Sequence, residues 1–180
     1  MLDTGMVRRI DELGRVVIPK EMRRTLRIRE GDPLEIYTDR DQLIFKKYSP
    51  ITQFSAFYQA VAEGLTEMSK KTCIVIDTDS VLYTTAKSKE VIGNKISNQL
   101  RECLNERKSL ALSRKDGDII VPIILGDEMV IENQIIVPVI SAGDCFGALI
   151  IYDADNTRKF SYEDVKLAQL GSSVLSRQFD

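Results

Sequence analysis

The spacing of apolar positions changes character near residue 48. Before it the pattern is short and broken. Residues 6–10 and 15–18 are β-branched runs separated by Asp11-Glu12-Leu13-Gly14, a composition suited to a hairpin loop. Pro19 fits the first position of a helix predicted from Lys20 to about Arg27, on which Met22 and Leu26, one turn apart, form an apolar stripe expected to pack inward. Glu30-Gly31-Asp32-Pro33 interrupts the chain, and residues 34–38 and 42–46 predict a second hairpin across Asp39-Arg40-Asp41. The predicted order is strand, strand, helix, strand, strand.

After a joint at Tyr48-Ser49-Pro50-Ile51 the periods lengthen. Ser49 and Pro50 suit an N-cap and first helical residue. Ile51, Phe54, Tyr58, Val61, Leu65 and Met68 then recur at alternating steps of three and four, a heptad-like seam on one helix. Strands are predicted at 72–77 and 81–85 around the turn Thr78-Asp79-Ser80, and helical turns at 88–92 and 97–107. Three further strands are expected at 119–125, 130–141 and 145–153, the last two joined by Ala142-Gly143-Asp144. Ser161 with Asp164 forms a capping-box pair, and Phe160 with Val165 occupies the hydrophobic-staple positions of a final helix carrying Leu167, Leu170, Val174 and Leu175 on its apolar face. Two domains are expected, residues 1–50 and 51–180, the second of α+β class.

Composition narrows the chemistry. A chain of 180 residues with 43% hydrophobic and 29% charged residues is balanced as a folded protein. It has no apolar run of membrane-spanning length, and its charged first residues do not read as a signal peptide, so a cytoplasmic location is expected. The absence of histidine removes the usual zinc and iron sites, the Ser-His-Asp and Cys-His relays and the commonest general base. Cys73, Cys103 and Cys145 are widely spaced and odd in number, which suits neither a disulfide framework nor a paired-cysteine metal site. With no nucleophile-base pair, phosphate-binding glycine loop or carboxylate cluster, an enzyme is not expected. Neither is a metal or a cofactor.

The net charge of −2 conceals an asymmetry. Residues 1–48 carry 11 basic and 9 acidic side chains, and residues 49–180 carry 14 and 18. Arg8, Arg9, Arg15, Lys20, Arg23, Arg24, Arg27 and Arg29 concentrate the positive charge. Lys20, Arg23, Arg24 and Arg27 form a stripe along the short helix. Arginine forks bind phosphates bidentately and enter narrow minor grooves, which points to double-stranded DNA; a solvated helix face is the plain alternative. So small a head has few large apolar side chains and no covalent or metal staple, which implies a partner, most simply a second copy of itself.

The stretch from Thr4 to Leu26, with its Leu13-Gly14-Arg15-Val16-Val17-Ile18-Pro19 core, resembles the DNA-binding head of the AbrB/SpoVT transition-state regulators. Gly31-Asp32-Pro33-Leu34-Glu35-Ile36-Tyr37 continues the resemblance and Lys46-Lys47-Tyr48 closes it. The resemblance implies a swapped-hairpin β-barrel made by two intertwined chains, with DNA contacts at Arg8, Arg15, Arg23 and Arg24 and support from Arg9 and Lys20. It also implies gene regulation during spore development, in a protein associated with the nucleoid. A related swapped-hairpin group serves as antitoxins that bind DNA and sequester a protein partner, which is the alternative reading.

The body resembles a GAF domain, a small-molecule sensing module with an antiparallel sheet flanked by helices. The resemblance rests on its layout and on Val137-Pro138-Val139, Gly147-Ala148-Leu149-Ile150-Ile151 and Phe160-Ser161-Tyr162-Glu163-Asp164. A ligand, if one binds, is unidentified: of the cyclic-nucleotide signature, Asn94-Lys95 and Phe160 with Asp164 are present, but Val165 stands in place of Glu. The helices at 51–68 and 165–179 can cover a sheet face or pair between subunits. Pairing would join two dimeric heads into a tetramer.

Overall fold

In the computed structural model, which describes residues 6–26, 28, 30–32, 34–47, 54–126, 129–154 and 159–179, the chain folds as two units, residues 1–48 and 49–180. The described residues of the first unit form the helix α1 (Lys20–Leu26) and a hairpin of β1 (Leu34–Asp39) with β2 (Gln42–Lys47). The hairpin register pairs Asp39 with Gln42, so only Arg40 and Asp41 make the turn, Arg40 at φ 52°. The loop at 11–15 also closes. The Asp11 amide donates to the Arg15 carbonyl at 3.1 Å, the Gly14 amide to the Asp11 carbonyl at 3.0 Å, and Gly14 takes φ 75°. This is the geometry of a short hairpin loop ending in a left-handed glycine. Residues 6–10 and 15–18, however, form no strand within the single chain, contrary to the sequence pattern. A strand needs a neighbour to take up its backbone groups along its length, and among the described residues these segments form no ladder beyond the loop closure at Asp11 and Arg15.

The second unit is an α+β domain. Its elements are α2 (Ser55–Ser69), β3 (Thr72–Ile76), β4 (Val81–Thr84), α3 (Asn98–Glu106), β5 (Leu110–Ser113), β6 (Asn133–Ser141), β7 (Asp144–Asp153) and α4 (Tyr162–Ser176). All strand pairings are antiparallel in the order β4-β3-β7-β6-β5. The two-residue alternation of the strands divides the core between the faces. Cys73, Val75, Ile135, Val137, Leu149 and Ile151 pack with Tyr58, Ala62 and Leu65 of α2 and Ala168 and Leu175 of α4. Ile74, Ile76, Ile136, Ala148 and Ile150 pack on the other face with Leu100 and Leu104 of α3 and with Ile96, Ile120, Ile123, Ile124 and Ile131.

Several terminal signals act as their residue types require. Ser161 accepts from the Asp164 amide at 3.3 Å while the Asp164 carboxylate accepts from the Ser161 amide at 2.7 Å, completing the capping box, and Phe160 and Val165 join the adjoining core. Ser97 caps α3 through the Leu100 amide at 3.0 Å. The hairpin between β6 and β7 turns on Ala142 and Gly143, both at positive φ (48° and 86°). The expected start of α2 at Ser49 and Pro50 lies outside the described residues.

In the second unit one strand assignment fails and another appears. Residues 119–125 contribute only an isolated bridge, Ile96 with Ile124. Pro122 cannot donate to a ladder. Instead the Gln134 side-chain amide mimics a neighbouring strand, accepting from the Val121 amide at 3.1 Å and donating to its carbonyl at 3.0 Å. The edge strand beside β6 is β5, a four-residue segment too short to stand out in the sequence.

Candidate nucleic-acid interface

Every candidate site residue of the head is exposed: Arg8 and Arg9 ahead of the loop, Arg15 at its end, and Lys20, Arg23 and Arg24 on α1. Arg27 lies outside the described residues, so the basic stripe is seen over its first three members. α1 starts because Pro19 presets the backbone and leaves its carbonyl to accept from the Arg23 amide at 2.9 Å. Arg23 and Arg24 fall in its last turn, where cations face the negative end of the helix dipole.

The apolar side chains of the same unit are exposed as well. Val7 is 90% accessible, Leu13 76%, Val17 75% and Ile10 69%. Met22 and Leu26, the stripe expected to pack inward, are also exposed, as are Ile36, Leu43, Ile44 and Phe45 on the hairpin. Among the described residues of the head only Pro19 is buried. Transfer data put the cost of leaving such side chains in water at about 1.5–3 kcal/mol each. The second unit, by contrast, fills both faces of its sheet.

Sequence reasoning gave Asp11 a part in the hairpin loop but no part in the candidate site. Its Oδ1 accepts from the Leu13 amide at 3.0 Å and from the Arg15 amide at 2.8 Å, while its Oδ2 accepts from Arg15 Nε at 2.7 Å. The bonds from the Arg15 backbone and side chain hold the Asp11 carboxyl below the usual carboxylate range. The available signal was Asp followed three residues later by a turn glycine, with arginine next.

Asn94 and Lys95 belong to the segment between β4 and α3, where their carbonyls accept from the Val81 and Leu125 amides at 3.0 and 2.9 Å. That segment leads into Ile96, on the face covered by α3, whereas Phe160 packs on the opposite face beside Val165. The two halves of the nucleotide signature are therefore not brought together. Cys73 is fully buried and its thiol is pushed up to about 12 by that burial, and burial also raises the Cys103 and Cys145 thiols, so none is a ready thiolate. Among the described residues no helix is long and apolar enough to cross a membrane.

Residues 53–180 match the family model described as the stage V sporulation protein T C-terminal, transcription factor. Residues 7–53 match that of antidote-toxin recognition MazE, a bacterial antitoxin. The whole chain is 38% identical over 182 residues to stage V sporulation protein T of Bacillus subtilis (strain 168), covering 100% of this chain and 99% of that protein. The head is 64% identical over 50 residues to the transition state regulatory protein AbrB of the same organism, covering 28% of this chain and 52% of that one. The solved GAF domain of an Acinetobacter phosphoenolpyruvate-protein phosphotransferase is similar to the body, with a TM-score of 0.56 at 13% identity over 71% of this chain and 87% of that one. At that identity it shows the fold, and the body is GAF-like.

Proposed function

The chain belongs to the stage V sporulation protein T family of transcription factors, and from that premise we propose that it regulates spore-stage genes by gripping double-stranded DNA with the arginines of a dimeric head. The observation that carries this reading is the surface of the head. Arg8, Arg15, Arg23 and Arg24 are exposed on the same unit as Val7, Ile10, Val17, Met22 and Leu26, apolar side chains that one chain leaves in water. A second copy covers them. Interleaved hairpins, as in a swapped-hairpin barrel, supply backbone partners to residues 6–10 and 15–18 and double the arginines on one surface. Arg9 and Lys20 add charge at its margin. Such a surface holds phosphates and reads groove shape, with few base contacts. The protein accordingly works in the cytoplasm, associated with the nucleoid.

The GAF-like body is the assembly module and the place for any small-molecule control. Tyr58 and Leu65, two members of the α2 seam, turn into the chain's own core, while Phe54 and Val61 are half-buried and Met68 is exposed. On α4, Leu170 is exposed between the half-buried Leu167 and Val174. Pairing through Met68, Leu170 and their half-buried neighbours joins two dimeric heads into a tetramer, which raises the effective concentration of one head once the other is bound.

Genome-wide occupancy tests the reading. An Arg23→Ala, Arg24→Ala chain, expressed at the normal level, should lose most of the sites held by the unaltered chain; retention of those sites would overturn it. The match of residues 7–53 to an antitoxin family favours one other reading, a head that sequesters a protein partner. A stoichiometric protein co-purifying with the full chain and released by substitutions in the head would support that one.

A further inference from the structure

We infer that Asp11 is the positioning residue for Arg15, holding its guanidinium by Nε so that the remaining N–H donors are presented to DNA. The inference rests on the reading of Arg15 as a DNA contact. An arginine at the end of an exposed loop has about 2 kcal/mol of rotamer freedom to lose on binding. Here that freedom is already restricted. Three bonds from one carboxylate fix the loop and the side chain together: Oδ1 holds the Leu13 and Arg15 amides at 3.0 and 2.8 Å, and Oδ2 holds Arg15 Nε at 2.7 Å. The Asp11 amide closes the same loop on the Arg15 carbonyl.

The geometry uses the guanidinium economically. Five N–H donors radiate from it, and an Nε bond engages one, leaving those of Nη1 and Nη2 for a phosphate or a groove edge. The side chain keeps 71% of its accessibility despite the ion pair. An unrestrained pairing of two such exposed groups is worth little for stability. Its value here is orientation, because the carboxylate is anchored by two backbone amides before it meets Nε. The cost is a negative charge near the DNA backbone, so simple electrostatics and positioning predict opposite effects of removing it.

Asp11→Asn separates them. The amide oxygen still accepts from the Leu13 and Arg15 amides, but its nitrogen side cannot accept from Nε. The full chain is titrated on a fluorescent A-tract duplex of about 30 base pairs, whose narrow minor groove favours inserted arginine, with thermal unfolding run alongside. The loss expected from freeing one long side chain is about 3- to 10-fold in affinity. In an Arg15→Ala background the same substitution should cause no loss. Equal or tighter binding by Asp11→Asn overturns the inference, as does an equal loss in both backgrounds, which would mean that Asp11 only shapes the loop. Full binding by Arg15→Ala alone overturns the reading of Arg15 itself, a separate failure. If Asp11→Asn unfolds, Asp11→Ser, whose hydroxyl also accepts from loop amides, takes its place with the same two outcomes.

Discussion

Single residues in this protein are set by what their polar atoms meet. The Tyr83 hydroxyl donates to the Glu63 carboxylate at 2.6 Å across α2 and β4, with Lys89 Nζ 4.7 Å from the Tyr83 ring centre. That bond to Glu63, followed by burial, pushes the Tyr83 hydroxyl up to about 12 from 10.0. A raised folded value stabilises the fold fully below the unfolded value of 10.0, and that contribution disappears as pH rises through about 12. In a near-ultraviolet titration of tyrosinate, Glu63→Gln should lower the ionisation of one of the six tyrosines from about 12 toward 10.0, and the alkaline unfolding midpoint should fall. A titration identical to that of the unaltered chain would show that the bond does not form. No such pairing was visible in the sequence, because residues 20 positions apart on a helix and a strand carry no shared signal.

At the scale of elements, two glycines test the packing. Gly147 in β7 has φ 153°, and a Cβ there would lie 2.0 Å from the Ile76 carbonyl oxygen of β3, a backbone atom that cannot move aside. Gly147→Ala should cost about 3 kcal/mol or more, combining backbone strain with disrupted β3–β7 pairing. Gly171 in α4 faces Leu65 of α2, where a Cβ would lie 2.6 Å from the Leu65 Cδ1. That neighbour is a flexible tip, so Gly171→Ala should cost less, about 1–3 kcal/mol as in other overpacked cores. Chemical denaturation of the two variants checks both the sizes and their order.

What could be read ahead of the structure follows from how local each cause is. α4 was legible because Ser161, Asp164, Phe160 and Val165 carry its start within six positions. The hairpin β1–β2 was legible from its breakers. The segment at 119–125 looked like a strand because burial imposes apolar runs on loops too, and the amide of Gln134 that holds it lies far along the chain. The strands expected at 6–10 and 15–18 do not form, because among the described residues no neighbouring strand takes up their backbone groups. The basic residues of the candidate interface stand out by type and spacing, whereas the Asp11–Arg15 bond depends on loop conformation.

For the whole molecule, assembly is the first question. Leu170 is 61% and Met68 73% exposed, so replacing them removes little of the chain's own core. Leu170→Glu together with Met68→Glu should leave the unfolding midpoint nearly unchanged but convert a tetramer to a dimer in sedimentation velocity. If the unaltered chain sediments only as a dimer, the body does not assemble as proposed. The charge asymmetry between head and body sets the second question, since binding by a cluster of arginines releases counterions in proportion to the phosphates they neutralise.

Affinity for duplex DNA as a function of salt, compared between the full chain and its Arg23→Ala, Arg24→Ala variant, decides whether the arginines of the head hold DNA. The unaltered chain should bind with a steep fall of log affinity against log salt. The variant should bind more weakly, its slope shallower by about one unit for each phosphate it no longer neutralises. Equal affinities and equal slopes would contradict DNA binding by the arginines of the head.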